Sequence, residues 1–222
     1  MSALALHGYY AILDLRGAAA GPAEAIAARA RGLLSARPCC LQLRAKDLPV
    51  RPLVDLARQV AGLCQEAGVP FCVNDRLDVA MLSGADVLHL GQDDLRLPHA
   101  RQILAGLGRK LVIGVSTHTF EQARTAAEEG ADYIGFGPVF ATRSKQRPDA
   151  VVGLSGLRQA AAEVRVPVVA IGGIRRADVP AVARAGAAAA AVIADIDEAP
   201  VPAQAAVEVA QLFGAAVEAR HG

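Results

Sequence analysis

Cations, hydroxyls and carboxylates recur in this chain at one kind of place, just after a short apolar run. The clearest case is GPVFATRSK, Gly137 to Lys145, which follows the run Tyr133 to Phe136 and leads into a polar segment without periodicity until about Val152. Structureless loops longer than ~12–15 residues are uncommon in compact domains unless they are functional or disordered. This one carries hydroxyls at Thr142 and Ser144, cations at Arg143 and Lys145, and backbone donors at two nearby glycines. Those groups suit a phosphate; a mobile surface loop with ordinary basic residues is the plainer alternative.

Five other run ends carry comparable chemistry. In QLRAK, Gln42, Arg44 and Lys46 alternate, so period two puts them on one face of an extended chain. A guanidinium beside an ammonium suits a pyrophosphate, although a strand end fraying into solvent also collects basic residues. VNDR supplies Asn74 and Asp75, and HLGQDD supplies Asp93 and Asp94. Carboxylates from adjacent strand ends can meet over one Mg2+, which takes one or two carboxylates plus phosphate oxygens and water. Taken singly, Asp75 or Asp94 could merely cap the helix behind it. His89, flanked by apolar residues, reads as a satisfied core histidine. In GVSTHT, Gly114 and Ser116 can approach a ligand, and Thr119 with Gln122 three residues on has the form of a helix capping box. His118 could move a proton near neutral pH or simply lie beside that cap. The two glycines of AIGGIRRADV stand where a strand meets a helix N-terminus, a common anion site, with Arg175 and Arg176 expected at the surface.

The elements that must position these groups alternate along the whole chain. Strands are expected at Tyr9–Leu15, Cys39–Leu43, Phe71–Asn74, Val87–Leu90, Leu111–Val115, Tyr133–Phe136, Val168–Ile171 and Ala190–Ile193. Helices are expected near Pro22–Leu34, Val50–Ala67, Asp78–Leu82, Leu97–Ala105, Thr119–Glu129, Leu154–Glu163, Asp178–Ala185 and Val201–Val217. Each apolar run is short and nearly continuous, as in parallel strands covered on both faces. Eight such alternations predict a single-domain α/β chain, a (β/α)8 TIM barrel over residues 1–222, with a doubly wound sheet as the other arrangement. Glycines in EAGVPFCV, EEGADYIGF and RAGAAAAAV sit where helix C-caps belong.

Composition agrees and excludes other classes. The 222 residues suit one large domain, and 53% apolar content with only 4% aromatics predicts a core of Ala, Val, Leu and Ile. A net charge of +1 gives no long-range field for nucleic acid or an acidic membrane, so any cationic site is local. Cys39, Cys40, Cys64 and Cys72 lie in apolar runs without metal-ligand spacing and read as buried free thiols. With neither a signal peptide nor a membrane span in evidence, a cytoplasmic protein is expected.

Taken together and in order, QLRAK, VNDR, HLGQDD, GVSTHT, GFGPVFATRSK and AIGGI closely resemble thiamin-phosphate synthase, from about Tyr9 to Ile196. The resemblance implies a barrel transferase joining a pyrimidinylmethyl diphosphate to a thiazole phosphate, with Mg2+, in thiamin biosynthesis. It implies that Gln42, Arg44, Lys46 and Asn74 hold the diphosphate substrate and that Asp75 and Asp94 ligate the metal. Ser116 and Lys145 would complete the pyrophosphate site; with Arg44 they are the expected catalytic set. Thr142, Ser144 and Gly173 would receive the thiazole phosphate, with Ile193 and Ala194 beside it. Small molecules are thus the expected partners, and a homo-oligomer is compatible with the sequence.

Two positions depart from the family pattern. Ala194 stands where a Ser is usual, and Ala141 where a Pro usually precedes the loop Thr. Two other readings remain open here. A thiazole tautomerase barrel would use a histidine at the place of His118 and need no metal; the Asn74–Asp75 and Gln92–Asp94 sets argue for the synthase. A non-catalytic phosphate-binding barrel has only Ala194 in its favour.

Overall fold

The computed structural model describes residues 6–16, 21–142 and 149–221. Eight parallel strands close a barrel in sequence order: β1 Gly8–Asp14, β2 Cys40–Arg44, β3 Phe71–Asn74, β4 Val87–Leu90, β5 Val112–Thr117, β6 Tyr133–Phe136, β7 Val168–Ala170 and β8 Ala189–Ala191. The helices between and after them are α1 Ala23–Leu34, α2 Val50–Ala67, α3 Leu77–Ser83, α4 Leu97–Gly106, α5 Phe120–Glu128, α6 Gly153–Glu163, α7 Val179–Arg184, α8 Ala194–Asp197 and α9 Pro202–His221. The doubly wound alternative is excluded by β8, which pairs with both β7 and β1.

Two cores follow from the two faces of each strand. Outward residues such as Leu41, Leu43, Val73, Leu88, Ile113 and Ile134 meet the helices, while Tyr10, Cys40, Cys72, Val87, Tyr133 and Val169 fill the barrel. The helices meet that outer layer because their apolar residues recur every three or four positions; in α2, Leu53, Leu56, Ala57, Val60, Leu63 and Cys64 are buried. The expected C-cap glycines Gly68, Gly130 and Gly186 have φ of 66°, 88° and 102°. Those values lie in the left-handed region that glycine enters without steric cost. They stop the helices and return the chain to the barrel. No described helix is long and apolar enough to cross a membrane.

Strand boundaries differ from expectation mainly at β5, which runs on through Thr117, and β8, which ends at Ala191. Thr117 is buried and donates to the Gly135 carbonyl at 3.1 Å, so its hydroxyl is satisfied inside the sheet. β8 stops short of the expected Ile193 because that residue caps the short helix α8, its carbonyl accepting from the Ile196 and Asp197 N–H groups.

Candidate active site

The C-terminal ends of the strands surround a cavity of ≈ 820 Å³, counting its open mouth. Gln42, Arg44, Asn74, Ser116, His118, Thr142 and Ile193 line it, over a floor made by Tyr10, His89 and Tyr133. A second cavity adjoins it and shares Thr142, Gly172 and Ile193; its remaining wall includes Ala141, Gly173, Arg175, Ala194 and Asp195. Residues as far apart in sequence as Tyr10 and Ile193 thus reach one opening because every strand ends there.

On the β1–β2 side, Arg44 Nη1 donates to Asp14 Oδ1 at 2.8 Å, and Arg16 Nε lies 2.6 Å from Asp14 Oδ2. Asp14 is buried and stands opposite Arg44 in the strand register. The expected clamp is therefore held by a carboxylate that fixes Arg44 at the rim. Asp14 went unassigned in the sequence; its period-two position after Tyr10 and Ile12 was the available signal. Lys46, two residues beyond the strand, reaches Asp75 Oδ2 at 3.0 Å.

Asp75 has φ 66°, a left-handed conformation that Asp tolerates better than most side chains. Its carboxyl is pushed up to about 6, first by burial and then by Asp94, against the opposing pull of Lys46. Asp94 Oδ2 also accepts the Gly91 N–H at 2.7 Å, which closes the β4 loop. Neither Asp75 nor Asp94 caps the helix behind it, because α3 and α4 start after Arg76 and Arg96 without a side-chain cap; Asp94 instead closes its own loop while facing Asp75. Two carboxylates crowded together with one half-exposed lysine make a site short of positive charge. Among the described residues no cluster of three or more His, Cys, Asp and Glu groups could hold a metal by itself. The pair suits a hard cation completed by ligand oxygens and water.

Ser116 Oγ lies 2.9 Å from His89 Nε2, and His89 Nδ1 lies 3.0 Å from the Tyr133 hydroxyl. His89 is satisfied at both nitrogens, as expected of a core histidine, but it also supports a cavity residue. Burial lowers its pKa to about 4, so the ring is neutral near pH 7. Gly114, expected to approach a ligand, instead makes room for the Tyr133 ring: a Cβ there would collide with it. Period-two spacing could have found Tyr133 inside the barrel, but nothing local announced its hydroxyl contact.

His118 lies beside the helix cap and also lines the cavity. Its backbone N–H donates to Gln122 Oε1 at 2.7 Å, and Thr119 Oγ1 accepts from the Gln122 N–H at 3.1 Å. Its ring faces the cavity, with Nδ1 2.6 Å from the Gly137 carbonyl and Nε2 3.5 Å from Asp149 Oδ2.

The start of the 137–145 loop is tied to the end of β7. The Val139 and Phe140 N–H groups donate to the Ile171 and Gly172 carbonyls at 2.9 and 3.0 Å. Gly173, at φ 68°, touches this segment so closely that a Cβ would strike the Ala141 and Phe140 carbonyls. The turn thereby sets Thr142 at the junction of both cavities. Ala194 opens α8, and the first N–H groups of any helix lie outside its own hydrogen-bond ladder. Arg176, expected merely at the surface, binds Asp195 at 2.7 Å and Glu208 at 2.8 Å and so fastens the β7 loop to α8 and α9. Ser144 and Lys145, like Arg143, lie outside the described residues.

A family model described as thiamine monophosphate synthase matches residues 10–196. The chain belongs to the thiamine monophosphate synthase family. It is 45% identical over 193 residues to the thiamine-phosphate synthase of Anaeromyxobacter dehalogenans, covering 87% of this chain and 85% of that one. It is also 45% identical over 166 residues to the thiamine-phosphate synthase of Moorella thermoacetica, covering 75% and 78%. The thiamine phosphate pyrophosphorylase structure from Pyrococcus furiosus superposes with a TM-score of 0.83 at 31% identity, over 96% of this chain and 98% of that one. A 3-hexulose-6-phosphate synthase structure, at 21% identity and TM-score 0.69, shares the fold alone.

Cys40, Cys64 and Cys72 are buried, and burial pushes the thiols of Cys39 and Cys64 up to about 12. Cys40 and Cys72 pack inside the barrel, and Cys64 packs in the layer between α2 and the strands.

Proposed function

We propose that the barrel condenses a pyrimidinylmethyl diphosphate with a thiazole phosphate, giving thiamin phosphate and pyrophosphate. The observation that carries this reading is the pair of adjoining cavities sharing Thr142, Gly172 and Ile193. One is lined by Arg44 with Asp14 and Asp149; the other is walled by the Gly172–Gly173 turn. Two anionic substrates placed there meet at Thr142.

In this reading Gln42, Arg44, Lys46 and Asn74 bind the diphosphate substrate, and Asp75 with Asp94 would hold Mg2+. Held there, the metal would supply charge neutralisation for a departing pyrophosphate. Arg44, Lys46 and Lys145 add fixed positive charge where negative charge develops, and Ser116 adds a hydrogen bond. The methylene C–O bond breaks with its electron pair leaving on oxygen. The ring amino group stabilises the resulting cation, and the thiazole nitrogen lone pair then forms the new C–N bond. No general base is needed. Thr142, Ser144, Gly173, Ile193 and Ala194 orient the thiazole phosphate so that positioning completes catalysis. The crowded Asp75–Asp94 pair favours this over the tautomerase reading, because proton transfer by His118 alone gives those carboxylates no task.

A coupled pyrophosphate-release assay tests the proposal. Release should require both substrates and Mg2+. Metal-independent turnover of a thiazole tautomer without coupling, or tight thiamin phosphate binding with no release, would overturn it.

A further inference from the structure

Five side chains from five strands form one hydrogen-bonded line across the barrel floor. Gln42 Nε2 lies 3.0 Å from the Tyr10 hydroxyl, which lies 2.9 Å from the Tyr133 hydroxyl. Tyr133 in turn meets His89 Nδ1 at 3.0 Å, and His89 Nε2 meets Ser116 Oγ at 2.9 Å. Tyr10 and Tyr133 are 2% and 0% exposed, so no solvent supplies alternative partners.

The direction of the line follows from counting hydrogens. The Gln42 amide nitrogen can only donate, so the Tyr10 oxygen accepts. The Tyr10 hydrogen then goes to the Tyr133 oxygen, because the other nearby acceptors are the weakly accepting sulfurs of Cys40 and Cys72. Burial raises both phenol pKa values well above 10, so neither becomes a phenolate that could reverse the order. Tyr133 has one hydrogen left, and His89 Nδ1 takes it. A neutral imidazole that accepts at Nδ1 carries its hydrogen on Nε2, and that hydrogen points at Ser116 Oγ. With its oxygen occupied, Ser116 has its own hydrogen to offer to the cavity.

We propose that this buried relay locks His89 as the Nε2–H tautomer and makes Ser116 an obligate hydrogen-bond donor toward an anionic oxygen, with Tyr10 and Tyr133 as positioning residues. The relay direction is a property of the ligand-free protein. Only the identity of the acceptor, a diphosphate oxygen, rests on the function proposed above.

The test begins with 15N-histidine NMR of the ligand-free wild-type protein. His89 should show a protonated Nε2 and an accepting Nδ1 from pH 6 to 8; an Nδ1–H tautomer overturns the relay whatever the protein binds. Tyr133→Phe keeps the ring and should release His89 into mixed tautomers. Calorimetry with inorganic pyrophosphate and Mg2+ should then show Tyr133→Phe binding about 10-fold weaker, the scale of one hydrogen bond to a charged group. Ser116→Ala should lose a similar amount, and the double variant should be no weaker than Ser116→Ala alone. An unchanged tautomer in Tyr133→Phe, or additive losses, sinks the proposal. If wild-type protein binds no pyrophosphate, the functional reading fails while the tautomer measurement still decides the relay.

Discussion

Replacing Asp75 by Asn separates what that carboxylate costs the fold from what it gives the site. Its pKa stands at about 6, against 3.8 for a free Asp, so the folded protein binds the proton more tightly than the unfolded chain. For a raised acid the linked stability is fully present below pH 3.8 and is lost as pH rises to about 6. At about 1.4 kcal/mol per pH unit across that interval, ionised Asp75 costs the metal-free fold about 3 kcal/mol above pH 7. Asn tolerates the same left-handed backbone and cannot ionise. Lys46, half exposed, loses a partner at little cost. Urea denaturation of metal-free Asp75→Asn should therefore show a gain over wild type of about 2–3 kcal/mol at pH 8 that shrinks toward zero near pH 4. The same variant should lose Mg2+-dependent turnover. A stability difference that does not change with pH would refute the crowding argument, and undiminished turnover would refute the metal assignment.

Gly114→Ala should destabilise the protein by about 1–3 kcal/mol, because the added methyl enters space held by the Tyr133 ring; a neutral result in denaturant melts would show that the ring can move. Thr142→Ala should chiefly raise the KM for the thiazole phosphate, whereas Lys145→Ala should lower kcat by slowing pyrophosphate departure, and identical kinetic defects in the two would erase the division of labour.

Much of this was legible in the sequence because it is local. Strand and helix periodicity, the glycine stops at Gly68, Gly130 and Gly186, and the Thr119–Gln122 cap each depend on neighbours within a few residues. The strand ends carrying Arg44, Asp75, Ser116 and Gly173 could be found the same way, because a barrel makes the end of every strand a place in one site. The family pattern pointed to Gln42, Asn74 and Thr142 on the same grounds.

What tertiary structure alone decided depends on register between distant strands. Alternation shows that Tyr10, Gln42, His89 and Tyr133 face inward, but only closure of the barrel brings the Tyr10 and Tyr133 hydroxyls to 2.9 Å across 123 residues. In the same way, Asp14 becomes the holder of Arg44 because β1 and β2 pair in one register, and a slip by one residue would turn one of the two away. Gly114 reads as a ligand contact until Tyr133 is seen to fill the space beside it. The sequence determines which side chains can do chemistry and at which end of the barrel they gather. The fold determines which of them face the ligand and which hold another in place, since that turns on distances no local spacing encodes.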